Sequence, residues 1–200
     1  MADVVLFHHV QGLTDGVLAF AEHLRAAGHT VHTPDLFDGA RPPSIAAGMA
    51  LTQAMGDAEL SERADRAVGG LPSALVYAGF SFGAGQAQRL AQTRVGSRGA
   101  LLYEACLPIT GEWAVGPWPP GMPVQIHGMD RDPYFANEWD LAAARELVSA
   151  VGAHRGELFL YPGDRHLFAD SSLSSYDPDA CALVLQRSLA FLDRVSGGAA

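Results

Sequence analysis

Apolar residues recur along this chain in two alternating rhythms. Short β-branched or apolar runs predict buried strands at Val4 to Phe7 and within "HTVHTPDL" (29–36, stopping at Pro34), "SALVYAGF" (73–80), "RGALLYEACLP" (98–108, closed by Pro108), "PVQIHGM" (123–129) and "GELFLYPG" (156–163). Between them the apolar spacing lengthens to three and four. Leu18, Phe20, Ala21 and Leu24 place a helix over Val17 to Ala27, opened by Thr14-Asp15 and ended by Gly28. Ser44 to Val68, Ala-rich and acidic, predicts one or two helices broken near Gly56; further helices fall at Gly85 to Gln92, Trp139 to Val151 and Pro178 to Val195. Strands that alternate with helices and are apolar on both faces imply a parallel sheet covered on both sides. Ligands of such sheets bind beyond the carboxyl ends of the strands. No internal repeat or linker interrupts the alternation, so a single α/β domain over residues 1–200 is expected.

Two stretches lack either rhythm. Asp38 to Pro43 is a Gly/Arg/Pro loop. Gly111 to Pro123 surrounds Trp113 and Trp118 with Gly and Pro; it is read either as a small lid or pocket wall, or as rings plugging a gap beneath a loop.

Composition narrows the functional classes. Of 200 residues, 48% are apolar and 18% charged, which suits a globular core. The formal net charge of −9, spread along the chain, argues against a nucleic-acid partner. Cys106 and Cys181 lack metal spacing and read as small apolar side chains. "MADVVLFHHV" has no basic leader, and no apolar stretch reaches the ~18 residues needed to span a bilayer, so no membrane partner and a cytoplasmic location are expected.

The chemistry concentrates in "VYAGFSFGAG" (76–85). Gly-x-Ser-x-Gly between a strand and a helix is the nucleophile elbow. Gly79 and Gly83 let helix and strand approach, and Ser81 is held above the sheet edge. A serine hydroxyl needs a base, and in this architecture the order is Ser, then acid, then His. Among eight histidines His166 fits, just past the final strand in "LFLYPGDRHLF". The orienting acid should follow the penultimate strand, where "QIHGMDRDPYF" offers Asp130 and Asp132; Asp132 is preferred. Asp164 and Asp170 lie too close to His166 in sequence, although Asp170 is a candidate partner behind it. The oxyanion donors should be the backbone N–H groups of Phe82 and, after the first strand, Val10. A metal site at His8 and His9 is disfavoured, because neighbours on a strand point to opposite faces; no metal is expected.

Together "FHHVQGLTDGVLAFAEHLRAAGHTVHTPDLFDG", "GFSFGAG", "HGMDRDP" and "YPGDRHLFAD" resemble the dienelactone hydrolase family of α/β-hydrolases over almost the full length. The resemblance implies an α/β-hydrolase fold and a compact, cofactor-free hydrolase of small esters or lactones, working through nucleophile, His and Asp. Three departures stand out. Ser81 replaces the cysteine nucleophile of founding members, His9 stands where they carry a glutamate, and their carboxylate-binding arginines have no evident counterpart beyond Arg165. The expected partner is therefore a small ester, thioester or lactone. The competing expectation is a non-catalytic binding module that uses the same pocket.

Overall fold

The computed structural model describes residues 1–136 and 139–197. Six strands, β1 (Asp3–Phe7), β2 (Thr30–His32), β3 (Leu75–Phe80), β4 (Gly99–Tyr103), β5 (Val124–Met129) and β6 (Gly156–Tyr161), form one sheet in the order β2-β1-β3-β4-β5-β6. Every pairing is parallel. The helices are α1 (Asp15–Ala26), α2 (Ile45–Met55), α3 (Asp57–Gly69), α4 (Phe82–Thr93), α5 (Asp140–Val151) and α6 (Pro178–Gly197). This is the parallel α/β sheet covered by helices on both faces that the sequence predicts.

Strand alternation divides the core in two. From β1, Val4 and Leu6 join Phe20 and Leu24 of α1 and Val184 and Phe191 of α6 on one face. Val5 and Phe7 join Leu60 and Val68 of α3, Leu90 of α4 and Leu147 of α5 on the other. β1, β3, β4 and β5 are buried along nearly their whole length, which is why their sequences are apolar at every position rather than every second one. β6 is an edge strand and only half-buried, so the expectation of two apolar faces fails there.

Local signals explain the boundaries. The Thr14 hydroxyl accepts from Val17 N–H and caps α1, and the Ser44 hydroxyl accepts from Ala47 N–H to cap α2. Gly56, at φ 81°, separates α2 from α3. Two boundaries differ from the sequence expectation. α4 begins at Phe82, not Gly85, because the elbow turn itself launches the helix. β4 stops at Tyr103, not Pro108, because Glu104 turns into the left-handed region at φ 62°. In the Gly111–Pro123 loop the two tryptophans diverge. Trp118 is buried and donates to the Met122 carbonyl at 2.9 Å, whereas Trp113 is 77% exposed. No helix among the described residues is long and apolar enough to cross a membrane.

Candidate active site

The elbow is built by close packing of backbone on backbone. A Cβ on Gly79 would sit 2.1 Å from the Gly83 carbonyl oxygen, and a Cβ on Gly83 would sit 2.5 Å from the carbonyl oxygens of Phe7 and His8. Only glycine fits either position, so β3, α4 and the end of β1 can meet. Between them Ser81 takes φ 50° and ψ −114°, and its N–H donates to the Tyr103 carbonyl at 2.7 Å. Such a conformation costs a non-glycine residue on the order of 1–3 kcal/mol and persists only where the surroundings enforce it. Its result is a side chain raised at the N-terminus of α4, where the helix dipole favours negative charge.

Three side chains far apart in sequence converge at this point. His166 Nε2 lies 2.8 Å from Ser81 Oγ, and His166 Nδ1 lies 2.7 Å from Asp132 Oδ2. Asp132, wholly buried, accepts through Oδ1 from the N–H groups of Tyr134 at 2.8 Å and Phe135 at 3.3 Å. These bonds leave Oδ2 facing the imidazole. The carboxylate takes the Nδ1–H, so Nε2 presents its lone pair to the serine hydroxyl. Burial alone would lower the His166 pKa; the hydrogen bond to Asp132 and the negative charges of Glu104 and Asp132 outweigh it and hold the ring above its ordinary value.

Asp130, the alternative acid, instead caps the neighbouring turn by accepting from Gly163 N–H at 3.0 Å. Val10 and Phe82 border the same cavity as Ser81 and His166, a space of about 580 Å³. Phe82 is the first residue of α4, and its N–H has no acceptor within the helix. Ile45, Met49 and Leu107 give the cavity an apolar wall. Arg89, which the sequence reading did not single out, also borders it. Its guanidinium is held by Asp65 and the Ser61 carbonyl, both at 3.0 Å. Arg165 points elsewhere and donates to the Tyr176 carbonyl at 2.8 Å. A larger neighbouring groove of about 850 Å³ shares Leu107 and Asp140 but contains none of Ser81, Asp132 or His166.

Two expectations need correction. Asp170 does not stand behind His166: it accepts from His9 at 2.7 Å, from Thr14 at 2.5 Å and, through Oδ1, from the Ser172 hydroxyl at 2.6 Å. A Cβ on Gly16 would lie 1.7 Å from the same Oδ1, so that glycine makes room for the carboxylate. The second correction concerns Glu104, which lies inside the run 98–108 predicted as a strand. It is a wholly buried carboxyl beside His166 and Asp132. No pattern in the sequence marks it, because it belongs to no motif and only the fold brings it there. As for metal, both nitrogens of His8, His9 and His166 are already engaged: His8 with the His9 carbonyl and Leu36 N–H, His9 with Asp170 and Gln11 N–H, His166 with Asp132 and Ser81.

A parallel sheet, a strained serine between strand and helix, and an imidazole and carboxylate arriving from the following loops together define an α/β hydrolase. The chain belongs to the dienelactone hydrolase family, whose model matches residues 1–196. No curated protein matches the sequence. Solved structures share the fold at low identity. A dienelactone hydrolase-like promiscuous phosphotriesterase from metagenomic libraries is 19% identical, with TM-score 0.76 over 98% of this chain and 87% of its own. Thermogutta terrifontis esterase 2, solved phosphoramylated by tabun, is 17% identical, with TM-score 0.68 over 100% of this chain and 84% of its own. An α/β hydrolase enzyme from a Medee basin deep-sea metagenome library is 15% identical, with TM-score 0.66 over 97% and 84%.

Proposed function

We propose that the protein is a serine hydrolase that cleaves small, uncharged carboxylic esters, thioesters or lactones through an acyl-enzyme, with Ser81, His166 and Asp132 as its catalytic triad. The observation that carries this reading is the unbroken hydrogen-bonded series from Asp132 through His166 to Ser81, at 2.7 and 2.8 Å. Ser81 Oγ adds to the substrate carbonyl carbon while its proton passes to His166 Nε2. The oxyanion so formed is held by the N–H groups of Val10 and Phe82 at the positive end of α4. Collapse of this intermediate breaks the bond to the alcohol or thiol, which leaves with the proton from Nε2. Water then enters, gives a proton to Nε2 and releases the acid by the same steps in reverse. Asp132 keeps the ring in the required tautomer and stabilises the imidazolium.

The walls of the cavity favour the neutral substrate class. Ile45, Met49 and Leu107 offer apolar contact, and Arg89, the one arginine bordering the space among the described residues, is occupied by Asp65 and a carbonyl. Asp57 and Asp140 border the same space and would oppose a second carboxylate on the substrate. The test is a panel of p-nitrophenyl esters and simple lactones, with Ser81→Ala as control. Turnover of short neutral esters that disappears in the variant supports the proposal. Turnover that survives it, or a well-folded wild type inert on every member, contradicts it and favours a binding role for the same pocket.

A further inference from the structure

The Glu104 carboxyl has no role in the steps just described, yet its placement is constrained. Its backbone is left-handed at φ 62°. Among the described residues only four non-glycine positions have positive φ, and three of them, Ser81, Glu104 and Leu167, meet at this site. Backbone strain concentrated in one place is retained where it positions side chains for a task. Glu104 Oε1 accepts from Phe168 N–H at 3.0 Å, which pins the turn that carries His166. Oε2 is buried without a hydrogen-bond partner. An orphaned buried oxygen of this kind is ordinarily costly and is retained for a reason. A Glu104 oxygen also lies within 4.8 Å of both a His166 ring nitrogen and an Asp132 oxygen. Two carboxyl groups therefore converge on one imidazole.

We propose that Glu104 is a positioning residue, a second carboxyl that supports the His166 imidazolium beside Asp132 and takes over part of its orienting task when Asp132 is lost. The inference rests on the triad reading above. The groups that face Glu104 are Asp132 from the loop after β5, His166 from the loop after β6, and the Cys181 thiol of α6. Asp140, at the start of α5, also acts on His166. Burial pushes the Glu104 carboxyl up to about 7, with His166 pulling it down and Asp132 pushing it up. Each group acts on the other, Glu104 raising His166 and His166 lowering Glu104, so a proton taken up by one changes the hold of the other, and the two are expected to titrate as a coupled pair.

The experiment joins a mutant cycle to a readout independent of turnover. In Glu104→Gln the acceptor toward Phe168 N–H is kept and the charge removed. Activity on a p-nitrophenyl ester is measured against pH for wild type, Glu104→Gln, Asp132→Asn and the double variant. The Glu104 carboxyl and the His166 ring are followed by carbon-13 and nitrogen-15 NMR titration. We expect Glu104→Gln to lower kcat about tenfold or less in the wild-type background and at least ten times more steeply in the Asp132→Asn background. The His166 ring should titrate in two steps in wild type, in concert with Glu104, and in one step at lower pH in Glu104→Gln. Equal fold-losses in both backgrounds with an unchanged His166 titration would overturn the proposal. Should Glu104→Gln fail to fold, wild type alone decides: coupled movement of the two resonances supports the proposal, and a Glu104 signal that titrates alone in the ordinary glutamate range overturns it. If Ser81→Ala leaves turnover intact, the hydrolase reading fails, while the NMR titration still judges the coupling.

Discussion

Two buried histidine–aspartate pairs flank the carboxyl end of this sheet, and they are almost superimposable in chemistry. His166–Asp132 and His9–Asp170 each close at 2.7 Å, with side chains almost wholly removed from solvent. The difference lies on the other side of each ring. His9 Nδ1 meets the Gln11 backbone N–H at 3.1 Å, a proton that is not given up near neutral pH, and Asp170 is saturated by Thr14 and Ser172. His166 Nε2 meets a serine hydroxyl at the wall of an open cavity, and its ring lies beside the exposed Tyr134 ring at 4.7 Å. Burial works against ionisation of Asp170, but its hydrogen bonds from His9, Ser172 and Thr14 hold it down at about 2. One pair is a clamp that ties the loop carrying Val10 to the turn after His166. The other is, in the proposed mechanism, the base. A His–Asp bond alone does not distinguish catalyst from scaffold; the third partner does.

The contrast can be broken by substitution. Ser81→Ala or His166→Gln should reduce kcat on the order of 10⁵- to 10⁶-fold without changing the thermal unfolding midpoint by more than a few degrees. Asp132→Asn should cost about 10⁴-fold if Asp132 alone sets the tautomer, and less to the extent that Glu104 substitutes. Asp170→Asn should behave oppositely. Loss of the charged acceptor should cost about 1–3 kcal/mol in chemical denaturation, with kcat reduced less than tenfold. An Asp170→Asn variant that keeps full stability but loses the activity of Asp132→Asn would erase the distinction.

The smallest expected effect is on stability against pH. Burial lowers His8 to about 4, His127 to about 3, and His29 below its ordinary value. As pH falls below about 6.5 the unfolded chain takes up these protons before the native one does, so stability falls. Glu104 at about 7 and the raised His166 act in the opposite sense, binding protons in the native state first and adding stability as pH falls. His166, held above its ordinary value, has gained this stability already above about pH 6.5 and is protonated in both states below it, so between about pH 6.5 and 4.5 three histidines oppose Glu104 alone and stability falls as pH falls. Glu104→Gln removes one opposing group and should steepen the slope. Urea unfolding across this range measures both.

Much of the architecture was legible because the core strands are apolar at every position and the helices carry cap residues such as Thr14 and Ser44. The relation of Ser81 to His166 was legible too, since elbow and chain order fix which loops meet. What escaped the sequence depended on the turn at the end of β4. Tyr103 and Glu104 lie inside an apolar run, and nothing in "YEACLP" announces that the chain leaves the strand there and turns a carboxylate inward. Asp170 escaped for a similar reason: closeness to His166 in sequence suggested partnership, while the tight turn at Leu167, φ 61°, carries it away toward His9. Arg89 sat unnoticed in helix α4, where its spacing from Ser81 places it on the cavity wall.

The most direct test is covalent labelling of the intact protein by a fluorophosphonate, read by mass spectrometry with peptide mapping. The triad account predicts one adduct per chain, located on Ser81, formed quickly in wild type and slowed by orders of magnitude in His166→Gln. A folded wild type that takes no label, or that carries it on another residue, would contradict it.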